Sequence, residues 1–360
     1  MKTKFLKWQK SRVQVRLIKL IGVTLALTFA VAASAPDKKL TYFTWSGYEL
    51  DQFHPGYASM HPEGADISVF GDDTEALTKV RAGFSPDLAH PCMDALPRWR
   101  AAGLIQPIDT KRIKNWNRIF PLFRNMKGVV DDGKVWMVPW DWGNVSILYR
   151  TDKIANPEQS WSLLWNKKYA GKMATIDSIH DTVLVAAIAA GVNPFKMSAA
   201  DMAKVKAKLM AQRPLIRTYT TDMASVEQAL ASGELDAAMT WNASEVALKK
   251  QGVPVKFMRP KEGMLTWVCG MVLLKNSTNV DKAYDFINAR LNPESGKSLI
   301  TSYGYGSSSM DAFALVSKKQ LAELSMPSDP ATALSHTTLI IPMENAEAIE
   351  AMFESVKAGH

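Results

Sequence analysis

From residue 39 onward, the chain alternates short segments typical of β-strands with longer segments typical of helices. The segments KLTYFTW (39–45) and ADISVF (65–70) are rich in aromatic and β-branched residues, as strands are. A helix is predicted from Asp72 to about Ala82, because an acidic residue there can cap its first turn. PDLAHP (86–91) is the next predicted strand. This order of strand, helix and strand predicts parallel sheets with helices on both faces, an α/β fold.

The same alternation resumes after residue 143. Strands are predicted at 145–150, 173–177, 235–241, 255–258 and 266–274, and helices at 181–190, 199–212, 280–291, 293–302, 317–324 and 344–357. No Ser/Gly/Pro-rich linker separates the two series, so two α/β lobes must be joined through ordered strands. VWMVPWDWGN (135–144) is the predicted first crossing between lobes, and WVCG (267–270) is the predicted return.

Residues 1–33 are predicted to be a secretory signal peptide. Residues 1–19 carry seven Lys or Arg and no acid, and a 12-residue apolar run, 20–31, follows before the small residues at 32–35. This is the order of a signal peptide, and the run is shorter than the roughly 20 residues that a membrane-spanning helix needs. Cleavage after Ala32 or Ala33 is expected. The mature protein is then expected in a bacterial periplasm, where Cys92 and Cys269 can oxidise.

The net charge of the whole chain is misleading as an indication of its partners. With 43 Lys+Arg, 35 Asp+Glu and a net charge of +8, the chain has the basic balance of a nucleic-acid-binding protein. Seven of those basic residues lie in 1–19, however, so the mature chain has 36 basic and 35 acidic residues. A nucleic-acid partner is therefore not expected.

Enzyme motifs are absent or broken. The chain has no G-x-S-x-G nucleophile elbow and no H-E-x-x-H zinc helix. Gly296-Lys297-Ser298 resembles the end of a phosphate-binding loop, but Leu291 occupies the position of its first glycine. The polar residues within 90–94 are better explained as a strand end than as a metal site. No catalytic residue, metal or cofactor is predicted.

Aromatic residues are concentrated where predicted strands end or cross. In an open α/β sheet, ligands bind beyond the carboxyl ends of the strands, and each Trp face attracts a cation by about 0.5–2 kcal/mol. The strand-end aromatics are Trp45, Tyr48, Trp140, Trp142, Trp241 and Trp267. Acids occupy similar positions at Asp94, Asp177, Asp181 and Glu245. Core packing is the expected role of Trp99, Trp116, Trp161 and Trp165. The pattern favours a cleft that binds a small organic cation.

The same segments resemble the spermidine/putrescine-binding proteins of ABC importers. The resemblance covers essentially the whole mature chain, through YFTWSGYEL (42–50), DLAHPCMDAL to AAGLIQPID (87–109), VWMVPWDWGNVSILYRTD (135–152), SWSLLWNKKYAGKMATID (160–177), GELDAAMTWNASEVA (233–247), TWVCGMVLLKNS (266–277) and SYGYGSSS (302–309). It implies a two-lobed periplasmic binding protein of type II-like fold, with a hinge between the lobes. The lobes implied are 34–139 plus 268–314 and 140–267 plus 315–360.

The resemblance also implies a ligand-binding set, with three departures from the family pattern. Cys269 stands where the family has a carboxylate, Asp94 where it has an aromatic residue, and Gly47 where some members have an acid. The full implied set is Trp45, Ser46, Tyr48, Asp94, Asp177, Asp181, Trp241, Trp267, Cys269 and Tyr305. Because a carboxylate–ammonium bond is strong, these departures leave a polyamine or a smaller or zwitterionic amine open as the ligand.

Other implications concern the cysteines and the partners. In the family fold the segments of Cys92 and Cys269 are neighbours, which implies a Cys92–Cys269 disulfide at the edge of the cleft. The expected partners are the ligand and an inner-membrane ABC permease, and the protein is expected to be a monomer. The alternatives are the same fold with another solute, including an anion, and an extracytoplasmic hydrolase.

Overall fold

The fold consists of short strands and helices in close alternation. The computed structural model describes residues 38–359, so the predicted signal peptide lies outside the described residues. The strands are Leu40–Trp45 (β1), Ala65–Phe70 (β2), Leu88–Ala89 (β3), Ile105–Gln106 (β4), Val130–Asp131 (β5), Lys134–Val135 (β6), Val138–Arg150 (β7), Met173–Thr175 (β8), Ile216–Tyr219 (β9), Ala237–Trp241 (β10), Val255–Phe257 (β11), Leu265–Leu274 (β12), Gly306–Ser307 (β13) and Thr338–Leu339 (β14).

Most of the longer helices begin with a side-chain cap. Asp72 accepts hydrogen bonds from the backbone N–H groups of Thr74 and Glu75, as expected of a helix start. The helices are Tyr57–Met60 (α1), Asp73–Arg81 (α2), Leu96–Ala101 (α3), Pro121–Arg124 (α4), Leu184–Ala189 (α5), Ala199–Gln212 (α6), Met223–Ser232 (α7), Ala243–Lys250 (α8), Val280–Arg290 (α9), Pro293–Tyr303 (α10), Met310–Ala314 (α11), Lys318–Glu323 (α12), Pro330–Leu334 (α13) and Ala346–Ala358 (α14). A π-helical turn, Ile179–Val183, precedes α5.

Two long strands join the two halves of the sheet. The main path of the sheet runs β2-β1-β3-β12-β7-β10-β8-β9, with parallel pairs at both ends. Between those ends, β12 and β7 pair antiparallel, and both are almost completely buried. A strand covered on both faces is expected to be a nearly continuous run of apolar residues, as most of β12 is, whereas β7 also buries the polar Asp141, Asn144 and Ser146. The predicted α/β fold is confirmed.

The apolar core divides where β7 and β12 cross. One cluster of buried side chains comes from residues 40–142 and 268–334, and another from residues 145–265 and 340–356. A smaller cluster lies under α7 and α8. β7 contributes Val138, Trp140 and Trp142 to the first cluster and Val145, Ile147 and Tyr149 to the second. The chain thus passes from one cluster to the other inside a single strand.

The lobe boundaries stay a prediction, and the packing of the core disagrees with one of them. The second lobe was expected to include residues 315–360. Val316, Leu321, Met326 and Leu334 instead pack in the first cluster, and residues from Ile340 onward pack in the second. By packing, the chain therefore returns to the second lobe after Leu334, later than the predicted position after residue 314.

Two further differences from the sequence predictions concern strand lengths and missing elements. β7 begins at Val138, not 145, because the predicted crossing segment is itself a strand. β9 and α7 were not predicted; β9 lies at the end of the sheet path and is partly exposed, so it lacks a buried apolar run. Within residues 38–359, no helix combines the length and the apolar character needed to cross a bilayer.

Candidate functional site

Trp241 and Trp267 lie at the junction of the two main core clusters. Trp241 ends β10 and Trp267 lies in β12, and each packs against both clusters while staying partly exposed. Trp267 pairs with Gly143 across the β7–β12 ladder, and its ring occupies the space that a side chain at 143 would need. Gly143 therefore lets the indole lie flat on the strand backbone.

A row of aromatic rings continues from Trp267 along the first cluster. Trp267 meets Tyr305 edge to face, with ring centroids 4.9 Å apart. Tyr303 lies 6.0 Å from Tyr305 and 5.8 Å from Tyr48, centroid to centroid. The Tyr303 hydroxyl donates to the Gly47 carbonyl at 2.6 Å. The structure thus brings together the predicted Trp267, Tyr305 and Tyr48, with Tyr303 between the last two.

Trp45 ends β1 and Ser46 follows it, next to the end of β2. The Trp45 ring packs on Phe70 with centroids 4.7 Å apart, and the Ser46 N–H donates to the Phe70 carbonyl. Trp45 is partly exposed, and among the described residues its indole N–H has no hydrogen-bond partner. That nitrogen is itself buried, so the partly exposed part of Trp45 is its ring face and edge rather than its N–H.

Asp94 is joined to the second half of the chain by a contact with His180. Its carboxylate lies 3.3 Å from His180 Nδ1, and the two side chains are 13% and 20% exposed. Asp94 follows the bridged Cys92 in the first half, whereas His180 lies in the π-helical turn before α5 in the second. The contact connects the two halves of the predicted cleft.

Two more carboxyl groups, those of Asp181 and Asp73, lie close enough to Asp94 to interact with its charge. Burial raises the pKa of Asp181 from 3.8 to about 6, although Ser178 hydrogen-bonds to the carboxyl group and lowers it. The charge of Asp94 adds to the increase. Burial also raises the pKa of Asp73, at the start of α2, and the nearby Asp94 contributes again. Asp73 was not among the predicted ligand residues.

Asp177 does not join this group. Its carboxylate accepts a hydrogen bond from Lys357 Nζ of α14 at 2.6 Å. The Lys357 ammonium already neutralises it, so Asp177 has no free charge for a ligand in this arrangement. Its assignment as a ligand residue stays a prediction that the geometry does not favour.

Cys92 and Cys269 form a disulfide, the pairing that the resemblance implied. The two residues are also paired backbone to backbone in an antiparallel bridge, with Cα atoms 3.8 Å apart. Cys269 lies two residues after Trp267 in β12. The bond therefore ties the strand that carries Trp267 to the segment that carries Asp94.

A buried chain of hydrogen bonds lies behind Tyr48. The Thr44 hydroxyl lies 2.9 Å from His90 Nδ1, and His90 Nε2 lies 2.8 Å from Asp141 Oδ1. Burial lowers the pKa of His90, so the ring is neutral, donates to Asp141 and accepts from Thr44. Hydroxyl, imidazole and carboxylate in this order resemble a hydrolase triad. All three side chains are nevertheless fully or almost fully buried, so a substrate cannot reach the hydroxyl.

The arrangement as a whole suits the binding of a small positively charged molecule. Indole and phenol rings provide negative π-faces, and Asp94 and Asp181 provide carboxylates from the two halves of the chain. Within residues 38–359, no cluster of three or more His, Cys, Asp or Glu side chains is placed to hold a metal ion.

Comparison with known proteins identifies the family. The family described as bacterial extracellular solute-binding protein matches residues 67–326, which is more than two thirds of the chain. The chain belongs to this family. It is therefore a solute-binding protein and not an enzyme, consistent with the inaccessible Thr44 hydroxyl.

Curated relatives of this solute-binding protein match most of its length. The spermidine/putrescine-binding periplasmic protein of Salmonella typhimurium is 24% identical over 344 residues, covering 93% of this chain and 96% of the relative. The putrescine/agmatine-binding protein of Pseudomonas aeruginosa is also 24% identical over 344 residues, covering 90% and 92%.

Solved structures of similar fold extend over nearly the same length. A putative spermidine/putrescine ABC transporter protein from Listeria monocytogenes matches with a TM-score of 0.79 and 20% identity, covering 90% of this chain and all of the other. A periplasmic binding protein of A. tumefaciens in complex with glucopine matches with a TM-score of 0.74 and 18% identity, covering 89% and 100%. At these identities the likeness shows the fold alone.

Several residues near the site of this solute-binding protein were not predicted from its sequence. Tyr303 lies two residues before Tyr305, a spacing that a strand-end search could have included. His180 directly precedes the predicted Asp181, and Asp141 lies between Trp140 and Trp142 in the crossing strand. The contacts that make these residues informative join positions far apart in the chain, so sequence spacing alone could not reveal them.

Proposed function

We propose that this protein captures a small organic cation, a polyamine or a related amine, between two lobes and delivers it to an ABC importer permease. The observation that carries the proposal is the position of Trp241 and Trp267, which pack against both core clusters and remain partly exposed. A ligand that touches these two rings is bound where the two core clusters meet. The names of the curated relatives support an amine as the ligand.

Charge supports the same ligand class. Asp94 comes from the first half and Asp181 from the second, and their charges interact. His180 contacts Asp94 at the position where an ammonium group would also be attracted. Carboxylates on both sides favour a ligand with an ammonium group at or near each, because each charge-assisted hydrogen bond is stronger than a neutral one.

Two lobes sharing one ligand suggest how binding drives closure. We propose two lobes joined through β7 and β12. Their predicted bounds are 34–139 plus 268–314 and 140–267 plus 315–360, and the packing of Val316 to Leu334 favours moving the last return to about Ile340. A ligand that contacts both lobes stabilises the closed state, because only that state makes both sets of contacts. The closed form is then the form that the permease binds.

Cellular location follows from the same proposal. Residues 1–33 would direct export and be removed, and the mature monomer would act in the periplasm. The relatives named as periplasmic proteins support this location. Intact-mass measurement of the exported protein would test it, since retention of Met1 contradicts a cleaved signal.

The proposal is tested by titration calorimetry on the mature chain, residues 34–360. The ligands are putrescine (1,4-diaminobutane), spermidine, 4-aminobutyrate and butyrate. We expect micromolar binding of the diamine or triamine, which corresponds to about −8.2 kcal/mol, and no binding of butyrate. Absence of binding to both amines would contradict the proposal.

A zwitterionic ligand is the second candidate. Gly47 and Cys269 replace acids that the family resemblance implies, and a structure of similar fold holds glucopine. Fewer carboxylates in the cleft reduce the advantage of a second ammonium group. Stronger binding of 4-aminobutyrate than of putrescine in the same titrations would favour this candidate.

Amine binding is expected to weaken as the pH falls through 6. A cationic ligand prefers ionised Asp181, whose pKa of about 6 makes it mostly protonated at pH 5. If only the ionised form binds, affinity falls about tenfold between pH 7 and pH 5. The reason is that about nine tenths of the carboxyl groups are ionised one pH unit above the pKa and about one tenth one unit below it. Calorimetry from pH 5 to pH 8 measures this effect.

Asp181→Asn should bind amines more weakly and lose most of this pH dependence. Because the folded pKa lies above the ordinary value, ionised Asp181 destabilises the fold above pH 6, and the penalty disappears as the pH falls. The variant should therefore be at least as stable as the native protein at pH 7. Glu323→Gln, on the surface of α12, serves as the control and should keep the native pH profile. A native profile in Asp181→Asn would refute the role of this carboxyl group.

A further inference from the structure

A cavity of about 310 Å³ lies between α8, β11 and the loop that follows α12. Its volume falls at the lower end of the range of small-molecule sites, about 300–1,000 Å³. Leu324 and Met326 of the loop pack with the first core cluster, whereas Val255 and Phe257 of β11 belong to the smaller cluster under α7 and α8. The cavity therefore lies between two separately packed parts of the fold.

This cavity is separate from the aromatic row of the candidate site. Successive side chains of a strand point to opposite faces. The Trp267 ring occupies the space that a side chain at Gly143 would need, whereas the next residue of β7, Asn144, lines the cavity. Trp142, two residues before Asn144, lines a smaller void that shares Asn144 with the cavity. The cavity and the Trp267 ring are therefore on opposite faces of β7.

Two cationic side chains that line the cavity converge on Ser325. Lys249 Nζ lies 3.4 Å from Ser325 Oγ, and Arg259 Nη2 donates to the Ser325 carbonyl at 3.3 Å. Among residues 38–359, Arg259 has no acidic partner, so its guanidinium keeps its charge and several N–H donors for another molecule. An anionic group beside Ser325 is therefore close to both cations.

Lys249 is held in the wall of the cavity by a buried acid. Glu245, one of the acids at predicted strand ends, lies one turn earlier in α8 and is almost completely buried. Its Oε1 accepts from Lys249 Nζ at 2.8 Å and from the Phe257 N–H at 3.0 Å. An ammonium group has three donors, so Lys249 keeps others for a ligand. With Lys256 also in the lining, three basic residues face one acid, and positive charge is in excess.

The backbone at Ser325 supports a role for its side chain. Ser325 follows α12 in the left-handed region, with φ of 56°. Its N–H donates to the Ala322 carbonyl, and the Met326 N–H donates to the Leu321 carbonyl. Glycine is the usual residue at this position of a helix end, because a Cβ is strained there. A glycine would, however, lack the hydroxyl that contacts Lys249.

We propose that this cavity is a second binding site, one that takes a small aromatic carboxylate. The carboxylate accepts charge-assisted hydrogen bonds from Lys249 and Arg259 beside Ser325. The ring packs against Phe257, Met264 and Met326 of the lining, because thioether sulfur and aromatic rings attract each other. The site lies outside the amine cleft and does not depend on the proposed function.

The test compares benzoate with benzamide, which has the same shape but no charge. Both are titrated by calorimetry into the native mature chain, Arg259→Gln, Lys249→Gln and Trp241→Ala. The last variant changes the amine cleft and not this cavity. Arg217→Gln is the matched control, because Arg217 is a half-exposed arginine of β9 that pairs with Glu234. Thermal unfolding checks that each variant folds.

We expect saturable binding of benzoate in the millimolar range and about tenfold weaker binding of benzamide. Arg259→Gln and Lys249→Gln should each weaken benzoate binding by about five- to tenfold, because each removes one charged donor. Trp241→Ala and Arg217→Gln should bind benzoate as the native chain does. Should Lys249→Gln fail to fold, Arg259→Gln alone must still weaken binding.

Each contrary result overturns the inference and leaves the proposed function untouched. A native chain that does not bind benzoate has no such site. Equal binding of benzamide contradicts the selection of an anion. Native affinity in Arg259→Gln, or loss of benzoate binding in Trp241→Ala, places benzoate outside this cavity. Amine titrations of the same native sample test the cleft independently.

Discussion

Trp241→Ala is expected to abolish measurable amine binding while the protein stays folded. Trp241 ends β10 and packs against both main core clusters, so its indole forms part of the contact surface of both halves. Loss of such a central tryptophan costs about 2–4 kcal/mol of binding free energy, or about 30- to 1,000-fold in affinity. From micromolar binding, this moves the dissociation constant toward or beyond the range that calorimetry measures easily.

The control for this prediction is another partly buried tryptophan. Trp165 packs on the second cluster, and its indole N–H donates to the Lys208 carbonyl at 2.9 Å. Trp165→Ala should lower stability but leave affinity within a few-fold of the native value. Unchanged affinity in Trp241→Ala would place the ligand elsewhere, whatever its identity.

Removing the Cys92–Cys269 disulfide should produce the largest loss of stability. The bond joins residues separated by 177 positions, and a cross-link that closes so long a loop restricts the unfolded chain strongly. Cys92→Ala/Cys269→Ala should therefore lower the free energy of unfolding by about 2–5 kcal/mol. Urea denaturation followed by circular dichroism measures this change as a lower midpoint.

Reducing agent provides the matched control. Dithiothreitol should lower the midpoint of the native protein toward that of the double variant, and it should have no effect on the variant itself. Titration of the denatured native protein should find no free thiol. Two free thiols, or equal midpoints for native and variant proteins, would contradict a disulfide that stabilises the fold.

Most strands and helices could be predicted because apolar periodicity and end signals lie within each segment. The strand at 65–70 and the helices at 199–212 and 280–291 match the structure closely, since each combines apolar periodicity with recognisable ends. β9 escaped because a partly exposed strand at the end of the sheet path needs few apolar residues. Its neighbour α7, Met223–Ser232, escaped with it.

The candidate site was harder to predict than the fold. Trp241 could be chosen because strand ends are where α/β sheets bind ligands, and Trp267 because it lies at the predicted return crossing. The partners of the acids could not be chosen, since the fold alone places His180 against Asp94 and Lys357 against Asp177. Only the structure therefore shows which carboxyl groups are available to a ligand. It favours Asp94 and Asp181, whereas Lys357 neutralises Asp177.

The loop closed by the disulfide also determines how the molecule responds to being cut. Residues 93–268 contain every strand from β4 to β11 and most of the second core cluster. Their entry and exit points are covalently joined at Cys92 and Cys269. A single break of the backbone anywhere between these two residues consequently releases no fragment, and the two pieces stay linked as one molecule under oxidising conditions.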